Sequence, residues 1–243
     1  MTRLDIALVE RGLAPTRARA RDAILRGHVT VGGSLAARPS LSVEESDAIA
    51  IDDPAAGYVS RAALKLIAGL ERFRYAATNR TALDLGAATG GFTQVLLERG
   101  ARKVFAVDVG HGQLDPVLAA DPRVVSREGL NARDLAAADI GEPVTAIVAD
   151  VSFISLKLVL PPALALAGDG AWGVFLVKPQ FEVGRANVGK GGIVRDPHLG
   201  EKTAADIAAW LEKEMRWKVG GVILSPIEGG DGNREFLVGA ERG

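Results

Sequence analysis

The 243-residue chain contains no cysteine. Disulfides, zinc-thiolate centres and iron-sulfur clusters are excluded, and so is every mechanism that needs a thiolate nucleophile. Long apolar runs are missing too. Even LPPALALAGDGAWGVFLV is interrupted by Pro161, Pro162 and Asp169, short of the roughly 20 apolar residues a membrane span requires. The start, MTRLDIALVERG, lacks the apolar core of a signal peptide, so a cytoplasmic location is expected. A strong net charge is also absent: 29 Lys and Arg against 30 Asp and Glu leave −1. That average hides two opposed segments. Residues 1–40 hold seven arginines against Asp5, Glu10 and Asp22, whereas residues 41–57 hold five carboxylates and no base. The 48% hydrophobic content is enough for one large domain plus a small appendage.

What is present begins with helical apolar spacing: Leu4, Leu8 and Val9, then Ala18, Ala23, Ile24 and Leu25, which predicts two short helices with Thr16 as N-cap of the second. Arg17, Arg19 and Arg21 cluster at the start of that second helix, where the macrodipole disfavours positive charge. An external anion would explain them, and a solvated arginine face is the competing reading. The stretch RLDIALVERGLAPTRARARDAILRGHVTVGG resembles the small module named after ribosomal protein S4. That resemblance implies recognition of structured RNA by shape and phosphate contacts, with Arg3, Arg17, Arg19 and Arg21 on RNA. It covers about the first 60 residues; the expected domains are 1–57, including the acidic linker, and 58–243.

From residue 81 strands and helices alternate: TALDLG, a helix from about Phe92, KVFAVD, RVVSREG, VTAIVAD, a helix from Phe153, WGVFLVK, a helix after Asp196-Pro197, WKVGGVILS and REFLVGA. Apolar strands with helical crossovers predict an α/β, Rossmann-like, mostly parallel sheet of seven strands. The last two strands, separated only by PIEGGDGN, should form an antiparallel hairpin. That sheet is the usual one of S-adenosylmethionine methyltransferases.

LDLGAATGGF places a glycine turn between a strand and a helix, where an open parallel sheet binds ligands. The dinucleotide fingerprint G-x-G-x-x-G lacks its middle glycine, because Ala87, Ala88 and Thr89 follow Gly86, and this argues against a pyrophosphate and hence against an NAD-dependent oxidoreductase. Asp108 ends the next strand, as a ribose-binding carboxylate should. A cofactor with a ribose and no pyrophosphate fits, and S-adenosylmethionine is the expectation. Asp84 would lie near its amino-acid portion, Ser60, Gly86, Ala87, Gly90, Gly91 and Phe92 close around it, and Asp108 on the ribose. Asn131 either meets the adenine edge or caps its own loop.

Without cysteine, methylation of a pyrimidine C5 carbon lacks its thiolate, and VADVSFIS carries no Asn/Asp-Pro-Pro-aromatic motif of amino-group methylation. An oxygen nucleophile remains the better candidate, and two lysines flanked by carboxylates would orient and activate it. The motifs SRAALKL, VAD, FLVKPQF and NREFLV resemble those of the FtsJ-like 2′-O-methyltransferases. That resemblance implies a catalytic set of Lys65, Asp150, Lys178 and Glu235, with Lys178 activating or aligning the hydroxyl. Glu228, in the preceding loop, is the rejected competitor. Helical spacing sets Arg61, an RNA contact, beside Lys65, with Leu64 and Ile67 packing inward. The glycine-rich PQFEVGRANVGKGGIVRD, with Arg185, Lys190 and Arg195, reads as a mobile RNA-contacting lid.

Taken with KPQFEVGR and GKGGIVRDP, the whole chain resembles the TlyA family. Membership implies methylation of cytidine in 23S ribosomal RNA, with or without a 16S site, the short ends favouring 23S alone. No metal is expected. Two alternatives are a membrane-active haemolysin, a label also attached to this family, and a non-catalytic RNA-binding protein.

Overall fold

The computed structural model describes residues 1–243 apart from the side chain of Pro197. The chain forms two compact units, Met1–Gly57 and Tyr58–Gly243.

The first unit contains β1 (Thr2–Arg3), α1 (Leu4–Glu10), α2 (Arg17–Leu25), β2 (Val29–Val31), β3 (Ser34–Leu35), β4 (Ser42–Val43) and β5 (Ile49–Ile51). β1 pairs with β4, and β3, β2 and β5 form a three-stranded sheet. Leu4, Leu8, Ala20, Ile24 and Val29 are buried at its centre. Thr16 caps α2 by accepting from the Arg19 amide, as expected. The arginines, however, are answered largely from inside. The buried carboxylate of Asp5 accepts from Arg3 Nε at 3.0 Å and Arg17 Nε at 2.9 Å, and these partners, Arg3 first, hold it down to about 2. Arg19 donates to the Ala55 carbonyl, while Arg21 is exposed. An external anion is therefore not needed to place Arg17 at a helix start, because Asp5, one helix earlier, supplies the charge.

The second unit opens with α3 (Ala63–Phe73), then β6 (Thr81–Leu85), α4 (Gly91–Glu98), β7 (Lys103–Asp108), α5 (Pro116–Ala119), β8 (Val124–Glu128), α6 (Ala137–Ile140) and β9 (Val144–Ala149). It continues with α7 (Leu156–Ala165), β10 (Ala167–Val177), α8 (Pro179–Glu182), α9 (Pro197–Lys213), β11 (Trp217–Leu224) and β12 (Phe236–Arg242). The strands form one sheet in the order β11-β12-β10-β9-β6-β7-β8. All neighbours are parallel except those of β12, which runs antiparallel to β10 and β11. Period-two alternation sorts the side chains: Leu83, Leu85, Ile147 and Phe175 pack under α7 and α9, whereas Ala82, Val104, Val148 and Val174 pack under α3 and α4.

Two local expectations change. On α3 the inward residues are Ala63, Leu66 and Leu70, with Lys65 also buried and Ile67 only partly so, because the helix turns its i, i+3, i+7 row to the sheet. The helix expected from Phe153 begins at Leu156: Ser155 caps it by accepting from the Lys157 amide, and Phe153 sits before it at φ +65°. Chain order reverses between β6 and β9, so the carboxyl ends of these strands frame the crevice where open α/β sheets take ligands.

Candidate active site

Gly86 leaves β6 at φ +80°, and a Cβ there would lie 2.6 Å from the Asp150 carbonyl oxygen. Only glycine satisfies both the left-handed turn and this close approach. Gly90 starts α4 at φ +97°, with no room for a Cβ against Leu118. The loop between them therefore presents bare backbone to a cleft of about 370 Å³ lined in part by Gly86, Ala88, Asp108, Asn131, Asp150 and Phe153. A second cavity of about 160 Å³ shares Gly86, Ala88, Asp150 and Ser152 with it and adds Ser60, Ala87, Gly91, Phe92 and Lys178.

Asp108 ends β7 in the cleft wall, its Oδ2 accepting from the Ala88 amide at 2.8 Å and its Oδ1 from Gly110 at 2.7 Å. Each carboxylate oxygen keeps a second lone pair, so the group is fixed in place yet still able to accept from a diol. Asn131 accepts from the Arg133 amide through Oδ1 and lines the cleft as well, so it caps its loop with one atom and offers Nδ2 with the other. Asp84 is deeper than expected. It is fully buried and lines neither cavity. Thr93 donates to its Oδ2 at 2.7 Å, and Oδ1 has no hydrogen-bond partner among the described residues. Burial, reinforced by the charges of Asp150 and Asp108 against the opposing Thr93 bond, pushes it up to about 7.

The four residues expected to act together meet as two ion pairs. Lys178 follows β10 and Asp150 follows β9; their Nζ and Oδ1 are 2.6 Å apart, and the same Nζ donates to Ser152 Oγ at 2.9 Å. Lys65, on α3, lies 2.5 Å from Glu235 Oε2, with side chains only 7% and 2% exposed. The antiparallel register Val177↔Phe236, carried one step further, sets Lys178 opposite Glu235. Ser225 and Glu235 are linked through their backbones, and Glu228 lies in the intervening loop.

Three features escaped the sequence reading. Glu128, at the end of β8, accepts from the amides of Gly112, Gln113 and Leu114, which hold its carboxyl below the usual range and gather the loop after β7. Phe153 is 89% exposed at a positive φ, a conformation costing an L-residue about 1–2 kcal/mol, and its ring centroid is 5.0 Å from that of Phe181. The signal was legible: each phenylalanine follows a residue of the Lys178–Asp150 pair by three positions. Third, the glycine-rich segment after α8 is organised. Arg185 and Lys190 lie in short 3-10 turns, Val188 bridges Val194, and the buried Asn233 accepts from the Val194 amide and donates to the Gly192 carbonyl, both at 2.9 Å. Arg61 lies two residues before α3, half-buried.

A bare glycine loop, a fixed carboxylate at the end of β7 and an amide facing the same cleft fit an adenosyl cofactor, and the adjoining cavity brings Lys178 to its edge. The family model for FtsJ-like methyltransferase matches residues 58–242, and that for the S4 domain matches residues 2–49. A Mycobacterium tuberculosis protein named 16S/23S rRNA (cytidine-2'-O)-methyltransferase TlyA is 46% identical, over 97% of this chain and 88% of its own. Hemolysin A of Brachyspira hyodysenteriae is 39% identical over 97% and 98%. A solved structure from Streptococcus thermophilus that carries the name hemolysin superposes with a TM-score of 0.77 at 38% identity, covering 99% of this chain and 88% of that one. Among the described residues no helix is long and apolar enough to cross a membrane.

Proposed function

Because the chain belongs to the FtsJ-like methyltransferases and carries an S4 domain ahead of that fold, we propose that it methylates the 2′-hydroxyl of a cytidine in ribosomal RNA. The observation that carries this reading is the Lys178–Asp150 pair at the edge of a cavity that shares Gly86, Ala88, Asp150 and Ser152 with the cofactor cleft. S-adenosylmethionine is the cofactor and supplies an electrophilic methyl on a sulfonium. Gly86, Ala87, Gly90, Gly91 and Phe92 would close around it, Ser60 beside them, with Asp108 on the ribose and Asn131 toward the adenine. Asp84 acts from below the loop, through Thr93 at the start of α4.

Lys178 would align the attacking 2′-oxygen for in-line displacement of a neutral thioether, the hydroxyl proton passing to solvent, and this positioning would remove much of the entropic barrier. Asp150 and Ser152 hold that ammonium in one place, and Asp150 offsets its charge. Lys65 and Glu235 complete the set from behind. Residues 1–57 form the RNA-binding unit, with Arg3, Arg17, Arg19 and Arg21 offered to phosphates, and Arg61, Arg185 and Lys190 continue this function on the catalytic unit 58–243. The cytidine target follows the name of the Mycobacterium tuberculosis relative, with 23S as the RNA. The reaction takes place in the cytoplasm, where that RNA is.

Mapping 2′-O-methylation on ribosomal RNA from cells with and without the protein tests the reading; it fails if no mark disappears. Calorimetric titration should show binding of S-adenosylmethionine and none of NAD. Lysis of protein-free liposomes by the purified chain would favour the haemolysin reading instead.

A further inference from the structure

Asn233 is 97% buried within a loop of otherwise mobile composition, being 3% exposed. It lies two residues before Glu235 and faces two ways. Through its backbone it holds the wall around that carboxylate: the Asn233 carbonyl accepts from the Gly229 amide at 2.9 Å, and Gly229 comes so near that a Cβ there would be 2.7 Å from Glu235 Oε1. Through its side chain it holds the glycine-rich segment, accepting from Val194 and donating to Gly192. The two residues so held are flanked by the cations Lys190 and Arg195. A primary amide presents a donor and an acceptor in one plane, and neither a carboxylate nor a methyl group does both.

We infer that Asn233 is a positioning residue that couples the glycine-rich segment to the Lys65–Glu235 pair, so that an RNA phosphate docked on Lys190 and Arg195 sets the geometry of the catalytic end of the sheet. The inference rests on the proposed RNA methyltransferase activity. RNA binding and the closing of the site are then one event. Thermodynamic coupling is reciprocal, so a disturbance at Glu235 must loosen the segment, just as a disturbance of the segment must disorder Glu235.

Both directions are measurable in the full chain. Asn233→Ala should lower the single-turnover methylation rate at saturating ribosomal RNA about tenfold, the order of effect of a residue that couples two sites, with cofactor affinity unchanged. A rate unchanged at saturating RNA, with any loss confined to subsaturating RNA, would overturn the inference, since Asn233 would then serve RNA affinity alone. In the second arm, Glu235→Gln should speed hydrogen exchange at the Val194 amide severalfold in the absence of RNA; unaltered exchange would overturn it even if Asn233→Ala does not fold. If the wild-type chain methylates no ribosomal RNA, the proposed function falls, and the exchange arm still decides the coupling.

Discussion

Two lysine–carboxylate pairs stand at the same end of one sheet, and they are built for different work. Lys65–Glu235 joins a helix near the start of the catalytic unit to the residue before its last strand, nearly dry at 7% and 2% exposure, and lines neither of the two cavities. Lys178–Asp150 hangs from the ends of two adjacent strands at 12% and 14% exposure, with Ser152 as a third partner, and faces the smaller cavity. A desolvated pair is costly to break because the surviving charge stays buried. A pair at a cavity edge can exchange partners with a substrate. On the proposed function, the first would fix geometry and the second would meet the reactant.

The sharpest way to break this contrast is Lys178→Ala. Methylation should fall by about 10³-fold, within the range general acid–base and orienting groups contribute, while the midpoint of urea unfolding barely moves. Retention of a tenth of the activity would remove Lys178 from the site. Glu235→Ala should do the reverse in kind, destabilising the fold by about 3–5 kcal/mol by stranding the Lys65 ammonium, as read from the same unfolding curves; a loss equal to that of Asp150→Ala would erase the distinction between the pairs.

Asp84 sharpens the comparison from a third side, as a buried carboxylate with no cation. Its folded value, pushed up to about 7, lies above its unfolded one, so between about pH 4 and pH 7 the folded state binds more protons than the unfolded state. Stability must therefore fall as pH rises through that window. Asp84→Asn should flatten that part of the curve, which unfolding at a series of pH values checks. The smallest effect belongs to Asp108→Asn: loss of charge at a carboxylate that accepts from Ala88 and Gly110 should weaken S-adenosylmethionine binding about tenfold, the size of one charge-assisted hydrogen bond, as measured by calorimetry.

The sheet was legible in the chain because each of its buried strands is an apolar run bounded by turn residues, and because the short PIEGGDGN link leaves no length for a crossover. The glycine turn and Asp108 were legible from their place after strands, but the set Lys65, Asp150, Lys178 and Glu235 only through motif resemblance; nothing local says that Lys65 meets Glu235, 170 residues on, rather than Asp150. What stayed hidden is what depends on a third dimension. Asp5 looks like an ordinary helix acid until Arg3 and Arg17 close on it. Asp84 looks like a cofactor ligand until the loop covers it. Asn233, in a run of glycines and acids, looks like turn punctuation.

The span of the Lys65–Glu235 pair also sets a timetable. A polypeptide emerges from its amino end, so Lys65 is made early and must wait for everything through residue 234 before its partner exists. A contact of this sequence separation also adds to the contact order that slows folding. The unit that would modify a ribosome thus cannot assemble this end of its sheet while most of its own translation is still under way, and a chain released before Glu235 would lack both the partner of Lys65 and β12, whose Leu237 shares a core with α3.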